Sequence, residues 1–332
     1  MKKISIIVFL LIGLSACGGA PKEKKEYYES GALKNSGSYL GGKKEGVIKG
    51  YYEDGALTGE AYYQNNKLDG IYKTYYEGGK VKTIENYQVG KREGLMQTFY
   101  KNGKLMTEAN FDNNELQKGN EFYESGKPKA EFSYKDGQRD GVCRGFYENG
   151  RLQFEAPYRA GQLQGMSKSF YENGSVKSEV NYVNGERDGL SRTFYADGQV
   201  EGEWNYKKGM LDGTAIGYYE SGKVEVINTY KNGQLDGVSK SFHTTGALKA
   251  QWEYSQGKLN GVVVEYYKNG KFESEKTYKD GKLDGPARQY TYTGQLREET
   301  LYRDQAVVGI KKFDKSGRVV FEKTFDGENR HP

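Results

Sequence analysis

Nine glutamates (Glu60, Glu108, Glu131, Glu155, Glu179, Glu203, Glu275, Glu299 and Glu322) each stand three residues before an aromatic ring. Eight basic residues (Lys49, Lys73, Arg144, Lys168, Arg192, Lys240, Arg288 and Lys312) each stand three residues after a glycine. Recurring carboxylates could ligate calcium or serve as acid and base in glycoside hydrolysis, so their separation decides what they can do. The surrounding pattern places successive glutamates two strands apart in a sheet, about 9.6 Å at ~4.8 Å per strand. Ligands of one Ca²⁺ lie within ~2.6 Å of the ion, hence about 5 Å from one another, and neighbouring rungs cannot share a cation. Glycosidase carboxylates stand roughly 5–5.5 Å apart in retaining enzymes and 6.5–9.5 Å apart in inverting ones. The upper limit touches the rung spacing, yet a motif written nine times without a pocket is a solvated ladder rather than an active site. The basic row is expected on the opposite face from the glutamates, its stems lying over rings, through a pairing that sets Val176 near Phe194.

The other reactive side chains are few. His243 fills a slot that is usually Tyr and reads as a repeat substitution, while His331 stands beside the final proline. Neither has Cys or His neighbours at metal-ligand spacing. Cys143 lies in a predicted strand and reads as a packed thiol. The glycines join strand to strand and lead into no helix, so no phosphate-binding loop is expected. Catalytic residues, metal and cofactor are all expected to be absent, and the chain is expected not to be an enzyme. With 50 basic against 45 acidic residues, the charge is too balanced to predict nucleic-acid binding.

What positions these rows is a repeat. Aromatic residues at Tyr27, Tyr51, Tyr75, Phe99, Phe122, Phe146, Phe170, Phe194, Tyr218, Phe242, Tyr266, Tyr290 and Phe313 recur every 24 residues, with steps of 23 into Phe122 and Phe313. Internal repetition at such a period means an array rather than separate globular domains. Within a unit the period is two: Val176, Ser178, Val180 and Tyr182 share one face, and Lys177, Glu179 and Asn181 the other. Asn-Gly occurs seven times and Asp-Gly eleven times, and these dipeptides are read as hairpin turns. The predicted fold is all-β: an elongated array of about 13 hairpins, about 26 strands, forming one twisted antiparallel meander. Repeat-forming roles fall to Tyr63, Tyr87, Tyr134, Tyr158, Tyr182, Tyr206, Tyr230, Tyr254 and Tyr278, and to the turn glycines Gly150, Gly174, Gly198 and Gly222. Where Asn113-Asn114 and Gln117-Lys118 replace glycine-containing turns, a local kink is expected over residues 112–121. Gln305 marks a capping repeat in the same way.

The start of the sequence is different. Residues 1–16 combine Lys2 and Lys3 with an apolar run from Ile4 to Leu14, too short to span a bilayer and suited to a signal peptide. Leu14-Ser15-Ala16-Cys17 resembles a bacterial lipobox, which implies cleavage before Cys17 and acylation of its thiol. Residues 17–26 then form a short polar linker, 27–326 the repeat array and 327–332 a polar tail. Gly18 is not the Asp that favours inner-membrane retention in lipoproteins, so the expected location is the cell envelope, at the outer membrane if the host is Gram-negative.

The units "FYENGSVKSEVNYVNGERDG" and "YYKNGKFESEKTYKDGKLDG" resemble the bacterial variant of the MORN repeat, found in proteins of the YwqK-type antitoxin-like kind. The resemblance covers nearly the whole chain beyond the signal peptide. It implies a scaffold or binding surface. The Trp that follows Gly-x in the eukaryotic repeat is missing, so lipid binding attached to that form does not transfer. The leading expectation is a membrane-anchored, non-enzymatic scaffold that binds an envelope or secreted protein. Trp204 and Trp252, which share one repeat slot, are the candidate interaction surface. Two alternatives stand beside it: a lipoprotein that binds cell-wall glycan, and an antitoxin or immunity-type protein that neutralises a toxin.

Overall fold

The computed structural model describes residues 19–325, so Cys17, His331 and the signal segment lie outside the described residues. The chain divides into two units, one ending at Pro128 and the other beginning at Lys129. Each is all-β, with every strand antiparallel to its sequence neighbours. No helix is present among the described residues. Six of the 32 strand segments are two-residue stubs that continue across a bulge into the next segment, which leaves 26 full strands. The expected meander of hairpins is therefore observed in each unit.

One hairpin explains the rest. Val176–Val183 turns back through Asn184 (φ 52°) and Gly185 (φ 82°), with Val183 facing Glu186. This is a two-residue turn with both φ values positive, the geometry that matches strand twist and favours Asn-Gly. The return strand ends at Phe194 in a wider turn. There Gly198 N–H donates to Tyr195 O (2.9 Å) and Tyr195 N–H to Gln199 O (2.8 Å). Gly198 sits at φ 93°, a left-handed conformation costly for any residue with a Cβ; Gly150, Gly174 and Gly222 occupy the same place.

The Asp-Gly pairs that recur midway through half of the return strands are not hairpin turns, contrary to the sequence expectation. Tyr182 faces Arg187 but Glu179 faces Arg192, so Asp188 and Gly189 are extra residues bulged out of the strand. Gly189 takes φ 90°, and Asp188 N–H donates to Asn181 O at 3.0 Å. The Asp carboxylate has a task one repeat further on, where Asp188 Oδ2 accepts the N–H of Lys208 (3.1 Å) in the next tight turn. Asp69, Asp140, Asp212 and Asp236 do the same for Val89, Ala160, Asn232 and Gln256. The dipeptide thus staples successive hairpins instead of closing one.

The bulge also absorbs the two 23-residue steps. At residues 112–121 the pairing runs Leu116 to Phe111 and then Lys118 to Asn110, so Gln117 alone is extra. Ladder pairing persists from Thr107 to Glu121, and where a local kink was expected the strand carries a changed bulge. Tyr302 facing Val307 and Leu301 facing Gly309 repeat that single-residue bulge before Phe313. Asn113, Asn114, Asp304 and Gln305 hold the turns with positive φ in place of glycine.

The buried side chains lie on one face and, Glu85 apart, are small. Ala61, Ala130, Ala215, Ala250, Ser191, Ser239 and Ser274 are buried, and Cys143 is 1% exposed, as a packed thiol should be. Larger rings lie across this floor. A methyl added at Gly202 or Gly145 would collide with the ring of Trp204 or Phe154. The core is a carpet of aromatic rings over a small-residue sheet, which explains why Tyr rather than Leu dominates the composition.

Candidate interaction surface

The register corrects the placement of the charge rows. Glu179 faces Lys168 on one side and Arg192 on the other, and Glu203 faces Arg192, so both rows lie on one face and alternate. Val176 stands opposite Phe170, and in the equivalent places Phe272 lies 5.2 Å from Tyr266 and 5.8 Å from Tyr290, so the expected nearness to the next closing aromatic is kept without parting the two rows. In the second unit the row reads Glu131, Arg144, Glu155, Lys168, Glu179, Arg192, Glu203 without a break. It then passes through Ile216, Ile227, Lys240, Gln251 and Val264, and resumes as Glu275, Arg288, Glu299, Lys311, Glu322. Lys311 holds the rung assigned to Lys312, because the single-residue bulge shifts the strand by one position. In the first unit the row runs Lys49, Glu60, Lys73, Ile84, Gln97, Glu108.

The rungs close into ion pairs: Arg144–Glu155 at 2.7 Å, Lys168–Glu179 at 2.8 Å, Arg192–Glu203 at 2.7 Å and Arg288–Glu299 at 2.7 Å. The Arg192 guanidinium holds the Glu203 carboxyl below the usual carboxylate range, with Tyr218 adding a hydrogen bond at 3.0 Å. The closing tyrosines Tyr75 and Tyr290 donate their hydroxyls into the row, to Glu60 (2.8 Å) and to Glu275 (2.6 Å). Burial, then the carboxylate, pushes both phenols up to about 12. Opposed charges half in solvent neutralise one another, and among the described residues no rung joins two carboxylates as a hydrolytic or cation site needs. Among the described residues no cluster of His, Cys, Asp and Glu could hold a metal ion.

Basic stems do cover rings, but on the other face and, apart from Lys312 at 5.9 Å from the Phe321 ring centroid, from other residues. Arg139 lies 4.9 Å from the Phe132 ring centroid and 5.4 Å from that of Tyr158, and Arg187 lies 5.2 Å from that of Tyr206. The repeat tyrosines Tyr63, Tyr158 and Tyr206 thus form the platforms for residues beside the tight turns. A second tyrosine series went unread in the sequence. Tyr171, Tyr195 and Tyr219 each send their hydroxyl to the backbone carbonyl of the next unit's closing aromatic, at 2.7–2.8 Å. His243 occupies this slot and still reaches Tyr266 O, at 3.2 Å, as a repeat substitution would. Trp204 stands half-buried over Gly202, and Trp252 faces the buried Ser239. Both are on the face opposite the charges.

Sequence reasoning also missed a row of exposed aliphatics next to the charge row. Val47, Ile71 and Leu95 in the first unit, and Val142, Met166, Val238 and Val262 in the second, all follow the bulge glycine and are exposed. They lie two positions before the ladder base and hence on the same face. The signal was an apolar residue after the second glycine of nearly every unit. Near the start of the array this face forms a shallow cleft of about 380 Å³ between Val47, Tyr62 and Ile71, edged by Glu60 and Lys73.

A model of the MORN repeat variant matches eleven segments, beginning at 44–65 and ending at 283–304, which together span most of the sequence. The chain belongs to the MORN repeat variant family. No curated protein matches this MORN-variant chain significantly. Among solved structures, "Crystal Structure of TcdB2-TccC3-TEV" is similar at 12% identity and a TM-score of 0.19, over 92% of this chain and 16% of that one. A Photorhabdus luminescens Tc holotoxin pore gives 12% identity and a TM-score of 0.19, over 91% of this chain and 17% of the other. The MORN-variant array therefore spans about a sixth of those chains' length, and at such TM-scores the overlap carries no argument.

Proposed function

We propose that this MORN-variant chain is a non-catalytic scaffold, held at a bacterial membrane through an acylated Cys17, that binds another envelope protein. The contact face is the one carrying the charge row and the exposed aliphatic row. The observation that supports this reading is the aliphatic row itself. Seven exposed apolar side chains stand in register beside half-exposed ion pairs, an arrangement that offers apolar contact area with a polar rim. Folding alone does not require these side chains to be apolar, because they face water and Thr214 stands in one of the same places.

The test compares the full chain with a Val238→Asp/Val262→Asp variant as bait in envelope extracts under mild crosslinking. A protein captured by the first and lost with the second supports the face. Equal capture by both removes the face from the proposal, and capture of nothing by the unaltered chain overturns the scaffold. Incorporation of a clickable fatty acid, compared with Cys17→Ala, checks the anchor; equal labelling of both refutes it.

A further inference from the structure

The first and last described strands are complementary halves of one repeat, and we infer that copies of this chain dock head to tail through them. Lys22–Tyr27 ends on the closing aromatic Tyr27, so it takes the place of a return strand, and no strand lies on its outer edge among the described residues. Val319–Thr324 is the opposite half. Its Glu322 stands in the ladder position against Lys311, and no strand lies on its other edge among the described residues.

The register fixes how they would meet. Throughout the array the ladder glutamate faces the residue two places before the closing aromatic of the following strand, as Glu179 faces Arg192 two places before Phe194. Applied across two copies, Glu322 of one faces Lys25 of the next, two places before Tyr27. The row Glu299, Lys311, Glu322 thus continues with a basic residue, in sign as well as in place. Lys25 has only a loose pairing at present, 3.6 Å from Glu23 with both side chains largely in solvent.

The last strand also shows what a missing neighbour leaves uncovered. Ala130, Ala250 and Ser274, at the position equivalent to Phe321, are buried, whereas Phe321 is 44% exposed. An exposed apolar edge of this kind is a template for strand addition. One pair in the register is like-charged, Lys323 against Lys24, though each already lies over a ring of its own chain, Phe325 and Tyr39, at 4.8 Å. A single strand pair is a small interface, so the contact is weak in dilute solution and needs a high local concentration. Because it joins unlike surfaces, it lengthens chains of copies instead of closing a dimer.

The test uses full chains in detergent. Lys25→Cys and Glu322→Cys are made separately, oxidised alone and then mixed; Cys143 is buried and does not interfere. Facing positions bring Cα atoms within disulfide range, so the mixture should give crosslinked dimer on the order of tenfold above either variant alone. Crosslinking that is no greater in the mixture overturns the inference. For charge, Lys25→Glu and Glu322→Lys should each weaken the association seen by sedimentation, and the double variant should restore it. A double variant as monomeric as the singles overturns the Lys25–Glu322 pairing.

Discussion

Two stretches of the second unit share one backbone and differ in what fills the middle of the sheet. From Glu131 to Glu203 every rung of the central row is charged and alternates in sign. From Ile216 to Val264 the same places hold Ile216, Ile227, Lys240, Gln251 and Val264, with Ile216 directly facing Ile227. Turns, bulges and staples continue through both without change: Asp188 and Asp236 bind the following turn alike, and Tyr195 and Tyr219 alike bind the following carbonyl. The charge row is therefore not what makes the fold. The turns and the carpeted face are common to both stretches, and the row is a surface on which they can differ.

The largest expected effect comes from that shared carpet. Gly145, in the charged stretch, lies under the Phe154 ring, while Gly217, the equivalent place in the other, would bring a methyl 3.0 Å from a Val226 methyl. Gly145→Ala must lift the ring and should cost about 1–3 kcal/mol in urea unfolding, as overpacking does. At Gly217→Ala the neighbour has only to give slightly, and the cost should stay below ~1 kcal/mol. Equal costs would mean that rings do not pack on this face as described.

Next comes the row itself. Ile227→Ala removes half-buried apolar area against Ile216 and should cost about 1–2 kcal/mol, part of the value for a fully buried side chain. Arg192→Ala breaks a rung whose partners are 41% and 23% exposed, so it should cost only ~0.2–1 kcal/mol and less in high salt. Glu203 has its carboxyl held low in the folded chain by Arg192 and Tyr218. Its contribution is therefore present above its unfolded value of 4.5 and is lost as pH falls through the lower folded value. The difference between Arg192→Ala and the unaltered chain should shrink in acid unfolding below that point, while the cost of Ile227→Ala persists. A pH-independent Arg192→Ala effect would show that the guanidinium acts through its stem.

How much of this was legible follows from where each signal sits. The hairpin period, the tight turn at Asn184-Gly185 and the role of Gly198 were readable, because φ restrictions act on two or three adjacent residues. The pairing within the charge row was not. It depends on Asp188 and Gly189 bulging out of the strand, and two extra residues leave both rows on one face while moving every cross-strand partner. Lys311 in place of Lys312 is the converse case, since one extra residue reverses the parity. The exposed aliphatics were hidden for a related reason. A valine after a glycine reads as buried until the neighbouring strands are seen to place Val238 beside Lys240 on the wet face.

The smallest effect is spectroscopic, and it separates the two stretches without perturbing stability much. Where the row resumes, the Tyr290 hydroxyl donates to Glu275 at 2.6 Å, and burial together with that carboxylate raises the phenol to about 12. In the interrupted stretch Gln251 stands where Glu275 would be, so the equivalent Tyr266 has no rung carboxylate to receive its proton. A phenol raised in the folded state adds stability below its unfolded value near 10, and that contribution is lost as pH rises through the folded value. Absorbance near 295 nm should therefore show a late component close to pH 12 that Tyr290→Phe diminishes. Glu275→Gln keeps the ring and the burial but replaces the carboxylate with an amide, so it should move that component only part of the way back towards 10. A full return would make the ion-pair row the whole cause. No movement would leave burial alone, and the row would then have no electrostatic hold on the rings beside it.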